Sequence, residues 1–290
     1  MELPPAPAHP RRLVFLGTPE ASVVPLQGLV DAGWDVALVV SQPDRRRGRG
    51  GALVPSPVKR AALDAGLAVT DRVDDALAAG ADLGVVVAFG RLIKPHVLLQ
   101  LPMANLHFSL LPRWRGAAPV ERAILAGDER TGVDLMVVEE GLDTGGVYDR
   151  AEVAIGPDET AAELRARLAH VGRDLLLDNL AEGLGEPRPQ EGEATYAHKI
   201  DPGELVVDWS RPALDLHRLV RIGGAWTTHA GHRLKLWRTA LAPTAPDTVE
   251  VATGSGPLWL VEVQPEGRRR MPAAAWARGV AGDVAAGLGR

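Results

Sequence analysis

The chain has 290 residues, no cysteine, and a formal net charge of −5 from 32 Lys and Arg against 37 Asp and Glu. Its length exceeds the ~100 to 200 residues of a usual single domain and predicts two folding units, while the lack of cysteine excludes disulfides, thiolate metal sites and a cysteine nucleophile. The acidic balance speaks against a general nucleic-acid binder, and no apolar run approaches the ~20 residues of a membrane span, so a cytoplasmic protein without membrane contact is expected.

After a Pro-rich leader at residues 1–10, Leu13, Val14, Phe15 and Leu16 form an apolar run that stops at Gly17-Thr18-Pro19-Glu20. Val23, Leu26, Leu29 and Val30 follow at helical spacing, so the pattern predicts strand, turn and helix. Residues 36–40 and 83–89 are further continuous apolar runs, with a helical segment at 59–65 between them. Such alternation predicts an α/β domain on a Rossmann-like parallel sheet covered on both faces, with ligands beyond the carboxyl ends of the strands. No Gly-x-Gly-x-x-Gly follows the first strand, which weakens a dinucleotide-binding reading. Further strands are expected near 134–139 and 147–155, then a helix over 160–180 opened by a capping box of Thr160 and Glu163. Residues 183–193 carry Gly, Pro and charge with no apolar period, the texture of a linker. Beyond it, apolar segments at 204–209, 233–237 and 258–263 and a helix near 212–221 predict a smaller β-rich unit. Five of the seven Trp residues lie there, where they either stack nucleotides or fill a small barrel. From Tyr196 onward 12 Lys and Arg face 9 Asp and Glu, a balance compatible with phosphate contact.

The chemistry concentrates in residues 105–116. On a short strand, Asn105 and His107 share one face while Leu106 and Phe108 pack on the other. A lone Asn-x-His is also what a hydrogen-bonded turn contains. Asp143, in the Gly-flanked run Gly141-Leu142-Asp143-Thr144-Gly145-Gly146, adds a carboxylate just after another strand. Three such groups at neighbouring strand ends suit acyl transfer to nitrogen. An amide and a protonated imidazole stabilise the oxyanion, and a carboxylate favours the charged imidazole and organises proton removal from the attacking amine. Neither a metal nor a covalent intermediate is required. His96 and His170 stand isolated and are expected on the surface or on helices.

In these segments the sequence resembles the methionyl-tRNA formyltransferase family. The resemblance rests on Phe15-Leu16-Gly17-Thr18-Pro19-Glu20, Gln42-Pro43-Asp44-Arg45, Pro55-Ser56-Pro57-Val58-Lys59, Asn105-Leu106-His107, Ser109 through Pro119, and Gly141-Leu142-Asp143-Thr144-Gly145. It implies a catalytic trio of Asn105, His107 and Asp143. For 10-formyltetrahydrofolate, the formyl donor, it implies a loop at Ser109, Leu110, Leu111 and Pro112 and a strand end at Phe89, Gly90, Arg91 and Leu92 whose backbone faces the pterin. A flat pterin read by backbone groups in a partly apolar cleft is physically reasonable. The Gly-rich segment with Arg45, Arg46, Arg47 and Arg49, followed by Lys59, resembles the mobile basic loop by which the family engages the tRNA acceptor end; such a loop gains salt-sensitive phosphate contacts on binding. The expected acceptor is therefore initiator methionyl-tRNA, with an amino sugar or other small amine as the alternative; a folate- or RNA-binding protein without turnover is a third reading. In the smaller unit the resemblance runs through Tyr196, Lys199-Ile200, Asp208-Trp209, residues 234–237 and 264–271, and departs at Ile222-Gly223-Gly224-Ala225-Trp226. The implied layout is a catalytic domain over 1–185, a linker over 186–203 and an OB-like, β-rich tRNA-binding domain over 204–290, acting as a monomer.

Overall fold

The computed structural model describes residues 3–47, 51–243, 247–280, 284 and 287–289. Two compact units emerge: Met1–Pro119 with Arg130–Val153 and Arg165–Ala197, and Val120–Glu129 with Ala154–Leu164 and His198–Arg290.

In chain order the elements are β1 (Arg12–Gly17), α1 (Val23–Asp31), β2 (Asp35–Val40), β3 (Arg45–Arg47), β4 (Ala52–Val54), α2 (Pro57–Asp64), β5 (Val69–Thr70) and β6 (Leu83–Val87). There follow α3 (Pro95–Leu98), β7 (Met103–His107), β8 (Arg115–Gly116), α4 (Pro119–Ala126), β9 (Arg130–Val137), β10 (Val147–Ala154), α5 (Ala161–Glu182) and β11 (Tyr196–Ala197). Seven strands form one sheet in the order β10-β9-β7-β6-β1-β2-β5. The run β5-β2-β1-β6-β7 is parallel, as the unbroken apolar runs predict, but β9 joins β7 antiparallel. An antiparallel strand beside a parallel block is common in such sheets.

Side-chain alternation divides the core. Val14, Leu16, Val40, Val86 and Met103 pack with Val97 and Leu98 of α3 on one face, whereas Leu106 lies against Gly172 of α5 on the other. Asn105 and His107 follow Met103 at period two and so belong to the α3 face. The run expected as a strand to residue 89 stops at Val87, because Ala88 turns into the left-handed region at φ 44°. The capping box at α5 forms: Thr160 N donates to Glu163 Oε2 at 2.8 Å and Glu163 N to Thr160 Oγ1 at 3.3 Å.

The segment expected as a linker is anchored as far as Ala197. Arg188 pairs with Val147, Thr195 N donates to Pro112 O at 3.2 Å, and β11 lies parallel to β8. Backbone pairing of this kind needs no apolar period, so composition did not reveal it.

The second unit adds α6 (Ala213–Arg221), β12 (Trp226–His229), β13 (His232–Ala240), β14 (Val249–Ala252), β15 (Pro257–Pro265), β16 (Met271–Pro272) and α7 (Ala273–Arg278). Its strands pair antiparallel in the order β12-β13-β15-β14, with β16 also on β15. Residues 204–209, expected as a strand, instead begin in a 3-10 turn, Pro202–Leu205, because Asp201 and Glu204 form a capping box. Gly223 and Gly224, both at positive φ (86° and 81°), make the left-handed corner from α6 into β12. Trp209 and Trp276 fill the core beside Leu216, Leu236 and Leu260, whereas Trp226 and Trp237 are partly exposed beneath the guanidinium groups of Arg233 and Arg270. The barrel-filling reading of the Trp cluster thus holds for Trp209 and Trp276. Among the described residues no helix is long and apolar enough to cross a membrane.

Candidate active site

Strand β7 delivers His107 to the carboxyl edge of the sheet. Its register sets Asn105 between Val86 of β6 and Met136 of β9, and His107 opposite Asp134 of β9. His107 Nε2 lies 2.9 Å from the Trp114 carbonyl. A carbonyl only accepts, so Nε2 carries a proton and Nδ1 is the nitrogen turned to Asp143. The Nδ1 to Asp143 Oδ2 distance is 3.6 Å, with the two side chains 6% and 18% exposed. That separation is too long for a hydrogen bond, which leaves Nδ1 geometrically available to a third group. Asp143 Oδ2 is itself held by Gly116 N at 2.8 Å.

The loop after β7 is tied at nearly every residue. Ser109 Oγ donates to Arg113 O at 2.6 Å, Arg113 N donates to Leu110 O at 3.1 Å, and the Leu111–Pro112 peptide is cis. Both backbone groups of Leu111 are engaged: its N–H donates to Asp134 Oδ2 at 2.9 Å and its carbonyl accepts from Arg150 Nη2 at 2.9 Å. Arg150 Nη2 also reaches Asp134 Oδ2 at 2.7 Å. Asp134 is fully buried, and its Oδ1 has no partner among the described residues. Desolvation pushes its carboxyl up to about 6, against the opposing pull of the Arg150 charge and the Leu111 N–H.

Asp143 adopts φ 51°, a left-handed conformation uncommon for a residue with a Cβ. Gly145 sits so close to the Val137 carbonyl that a Cβ there would come within 2.1 Å of it. Across this turn lies Gln190: its Nε2 donates to Asp143 O and to Gly145 O, both at 2.8 Å. Its Oε1 accepts from Arg115 Nε at 3.0 Å and Nη2 at 2.6 Å.

At the end of β6, Phe89 is buried, and its carbonyl accepts from Thr18 Oγ1 and Gln42 Nε2, both at 2.9 Å. Among the described residues, no hydrogen bond uses the backbone of Gly90, Arg91 or Leu92, and Leu92 is 80% exposed. Arg91 Nη1 donates to Asp71 O at 2.8 Å. The basic segment, expected as an irregular mobile loop, is a hairpin in which Arg45, Arg46 and Arg47 of β3 pair with Val54, Leu53 and Ala52 of β4. Arg45 and Arg46 are exposed, and Arg45 Nη2 donates to Gln42 Oε1, so Gln42 joins the hairpin to the Phe89 carbonyl. Arg49 lies outside the described residues. Lys59 is held in an ion pair with Asp44 at 2.8 Å. His96 is exposed, as expected, but bonded to Asp74 rather than isolated; His170 is exposed on α5.

The structure therefore brings His107, Asp143 and the 109–114 loop together: His107 is hydrogen-bonded to Trp114 and lies 3.6 Å from Asp143, with Asn105 on the same strand face. Sequence reasoning missed Asp134, Arg150 and Gln190. Arg150 stands in β10 among other charges and Gln190 sits in the stretch read as a linker; the one signal was Asp134, a carboxylate inside the apolar run of β9.

Residues 11–180 match the Formyl transferase family and residues 199–281 the Formyl transferase, C-terminal domain family. The chain is 43% identical to a methionyl-tRNA formyltransferase of Symbiobacterium thermophilum over 92% of both chains. Among solved structures, a variant of HypX from Aquifex aeolicus superposes with TM-score 0.67 at 18% identity, over 92% of this chain and 48% of HypX, so the chain spans about half its length. A methionyl-tRNA formyltransferase from Clostridium thermocellum gives TM-score 0.61 at 14% identity, over 90% of this chain and 99% of that one. At those identities the two structures speak for the fold.

Proposed function

The chain belongs to the methionyl-tRNA formyltransferase family, and on that premise we propose that it transfers the formyl group of 10-formyltetrahydrofolate to the amino group of methionyl initiator tRNA. The observation that carries the reading is the His107–Asp143 pair at the end of β7, with Asn105 two residues before it on the same face. The folate suits the open backbone groups of Gly90, Arg91 and Leu92, which offer donors and acceptors to a pterin edge beside the exposed Leu92 side chain. Leu110, Leu111 and the cis Pro112 supply the tied loop on the neighbouring strand.

In this reading the amine attacks the formyl carbon, a new C–N bond forms and the carbonyl oxygen becomes anionic. Asn105 and the Nδ1 proton of His107 donate to that oxygen. Asp143, at 3.6 Å from Nδ1, carries the balancing charge and receives the proton that the attacking nitrogen sheds. Breaking the bond from the formyl carbon to folate N10 completes the transfer, with a proton passing to N10.

The acceptor end is assigned to the basic segment, through Arg45, Arg46 and Arg47 of the hairpin and through Arg49 of the sequence, with Lys59 contributing once its pair with Asp44 opens. The β-rich unit adds two exposed cation-aromatic pairs, Arg233 over Trp226 at 4.1 Å and Arg270 over Trp237 at 4.9 Å, a chemistry suited to RNA. We assign the protein to the cytoplasm as a monomer, with a catalytic domain over 1–185 that carries the basic segment, a linker over 186–203 and a tRNA-binding domain over 204–290. The test is formyl transfer to methionyl initiator tRNA beside elongator methionyl-tRNA and free methionine at two salt concentrations. Salt-sensitive activity on the initiator alone is expected; inactivity on every tRNA with the folate still bound would redirect the reading to small amines.

A further inference from the structure

The polar contacts around Asp143 are unevenly distributed. Among the described residues its carboxylate has one hydrogen bond, from Gly116 N, whereas its main chain is gripped from a distant segment: Gln190 Nε2 spans the carbonyls of Asp143 and Gly145. An amide nitrogen has two protons and an amide oxygen two lone pairs, and Gln190 uses all four. The orientation is unambiguous, since two carbonyls on one side demand the NH₂ and the Arg115 guanidinium on the other demands the oxygen. Arg115 in turn belongs to β8, whose next residue, Gly116, holds the Asp143 carboxylate. Arg115 N is fixed by Thr195 O at 2.9 Å, so the 190–197 segment braces Asp143 along two routes. A left-handed residue with a side chain persists only where its surroundings over-determine it.

We propose that Gln190 is a positioning residue for Asp143, holding the 143–145 turn so that the carboxylate faces His107 Nδ1. The proposal rests on the proton-handling role given to Asp143 above. It assigns the two halves of the amide separate tasks: the donor half fixes the turn, and the acceptor half aligns Arg115. Gln190→Glu keeps length and the acceptor to Arg115 but sets a carboxylate against two carbonyls, whereas Gln190→Met keeps length and removes both.

The test measures kcat and KM for Gln190→Glu, Gln190→Met, Asp143→Ala and the Gln190→Met/Asp143→Ala pair, with circular dichroism and thermal unfolding as fold controls. Displacing a reacting group by ~1 Å costs up to about 100-fold. The expected result is a 10- to 100-fold fall in kcat for both Gln190 variants with folate KM within threefold of wild type, and no further loss from Gln190→Met once Asp143 is Ala. Equal losses from Gln190→Met in both backgrounds would overturn the proposal, because the residue would then act without Asp143. Full activity of Gln190→Glu would overturn the donor assignment. Full activity of Asp143→Ala would instead fell the catalytic reading itself and the proposal with it.

Discussion

Asp134→Asn isolates the cost of keeping one carboxylate buried beneath the 109–114 loop. Desolvation raises the folded-state carboxyl from 3.8 to about 6, Arg150 and the Leu111 N–H pull it down, and neighbouring Asp149 adds a smaller push upward. The group is fully buried, so no solvent discount applies; the shift corresponds to about 3 kcal/mol. The sign follows from proton counting. Between pH 3.8 and about 6 the folded state holds the proton that the unfolded state has released, so stability falls as pH rises through that window. Above about 6 the full penalty is present. Asn keeps an oxygen for Leu111 N and Arg150 and cannot ionise, but it places an NH₂ where Oδ1 has no partner, at a cost of ~1 to 3 kcal/mol that does not depend on pH. Comparing the two proteins across pH cancels that constant. Urea unfolding of both at pH 4, 5, 6 and 7, followed by far-UV circular dichroism, should show the variant gaining about 2.4 kcal/mol relative to wild type between pH 4 and pH 7, the rest of the penalty being already present at pH 4. A stability difference that stays flat over the window would refute the reasoning, because Asp134 would then titrate alike in the folded and unfolded chains.

His107→Ala should lower kcat by at least 100-fold while folate affinity, by equilibrium fluorescence titration, stays within a few-fold; unchanged turnover would remove His107 from the mechanism. Arg45→Ala with Arg46→Ala should raise KM for methionyl-tRNA and flatten the log KM against log salt plot by up to ~2, about one unit per lost phosphate contact; an unaltered slope would take the hairpin out of the RNA interface. Arg122 forks onto Glu204, with Nη1 to Oε2 at 2.7 Å and Nη2 to Oε1 at 2.9 Å, and this, with the Asp201 N–H, depresses the Glu204 carboxyl to about 2. Its contribution is present above the unfolded value of 4.5 and lost as pH falls toward 2. Because Glu204 is 39% exposed, Glu204→Gln should cost only ~0.5 to 1 kcal/mol at pH 7 by thermal unfolding, and the difference should vanish near pH 2; an effect that persists there would rule out the ion pair as its cause.

The legible parts of the fold were those written in periodicity. Buried strands of a parallel sheet read as apolar runs, and β1, β2 and β6 were found that way; Asn105 and His107 were placed on one face by alternation alone. Polar anchoring is not periodic. Gln190 makes four hydrogen bonds from a stretch whose Gly, Pro and charge content is that of a solvated linker, and nothing local distinguishes it from Glu191 or Glu193. Asp134 is matched to Arg150 on the next strand, a pairing that depends on the register between strands. Residues 204–209 failed as a strand for a local reason: Val206 and Val207 carry the β signal, but the capping box of Asp201 and Glu204 competes for the backbone first.

Backbone strain follows the same division. Four described residues with a side chain take positive φ, and three of them, Ala88, Trp114 and Asp143, lie in the segments that follow β6, β7 and β9; the fourth, Ala230, is in the β12–β13 turn. Each of the three costs on the order of 1 to 3 kcal/mol and needs outside support. For Ala88 it comes from Ser22 Oγ on the Val87 carbonyl and from Thr18 and Gln42 on the Phe89 carbonyl. Trp114 is held by Thr195 Oγ1 on its N–H and by His107 on its carbonyl, and Asp143 by Gln190. In every case a polar side chain from elsewhere in the chain binds the main chain at or beside the strained residue. Strand β7 and the segment after β9 thus bring His107 and Asp143 together, while the main chain at and beside the strained residues is held by Thr18, Ser22, Gln42, Gln190 and Thr195. A substitution at Thr18, Gln42, Gln190 or Thr195 is expected to disturb chemistry before it disturbs folding, since these four are partly exposed, whereas Ser22 is fully buried.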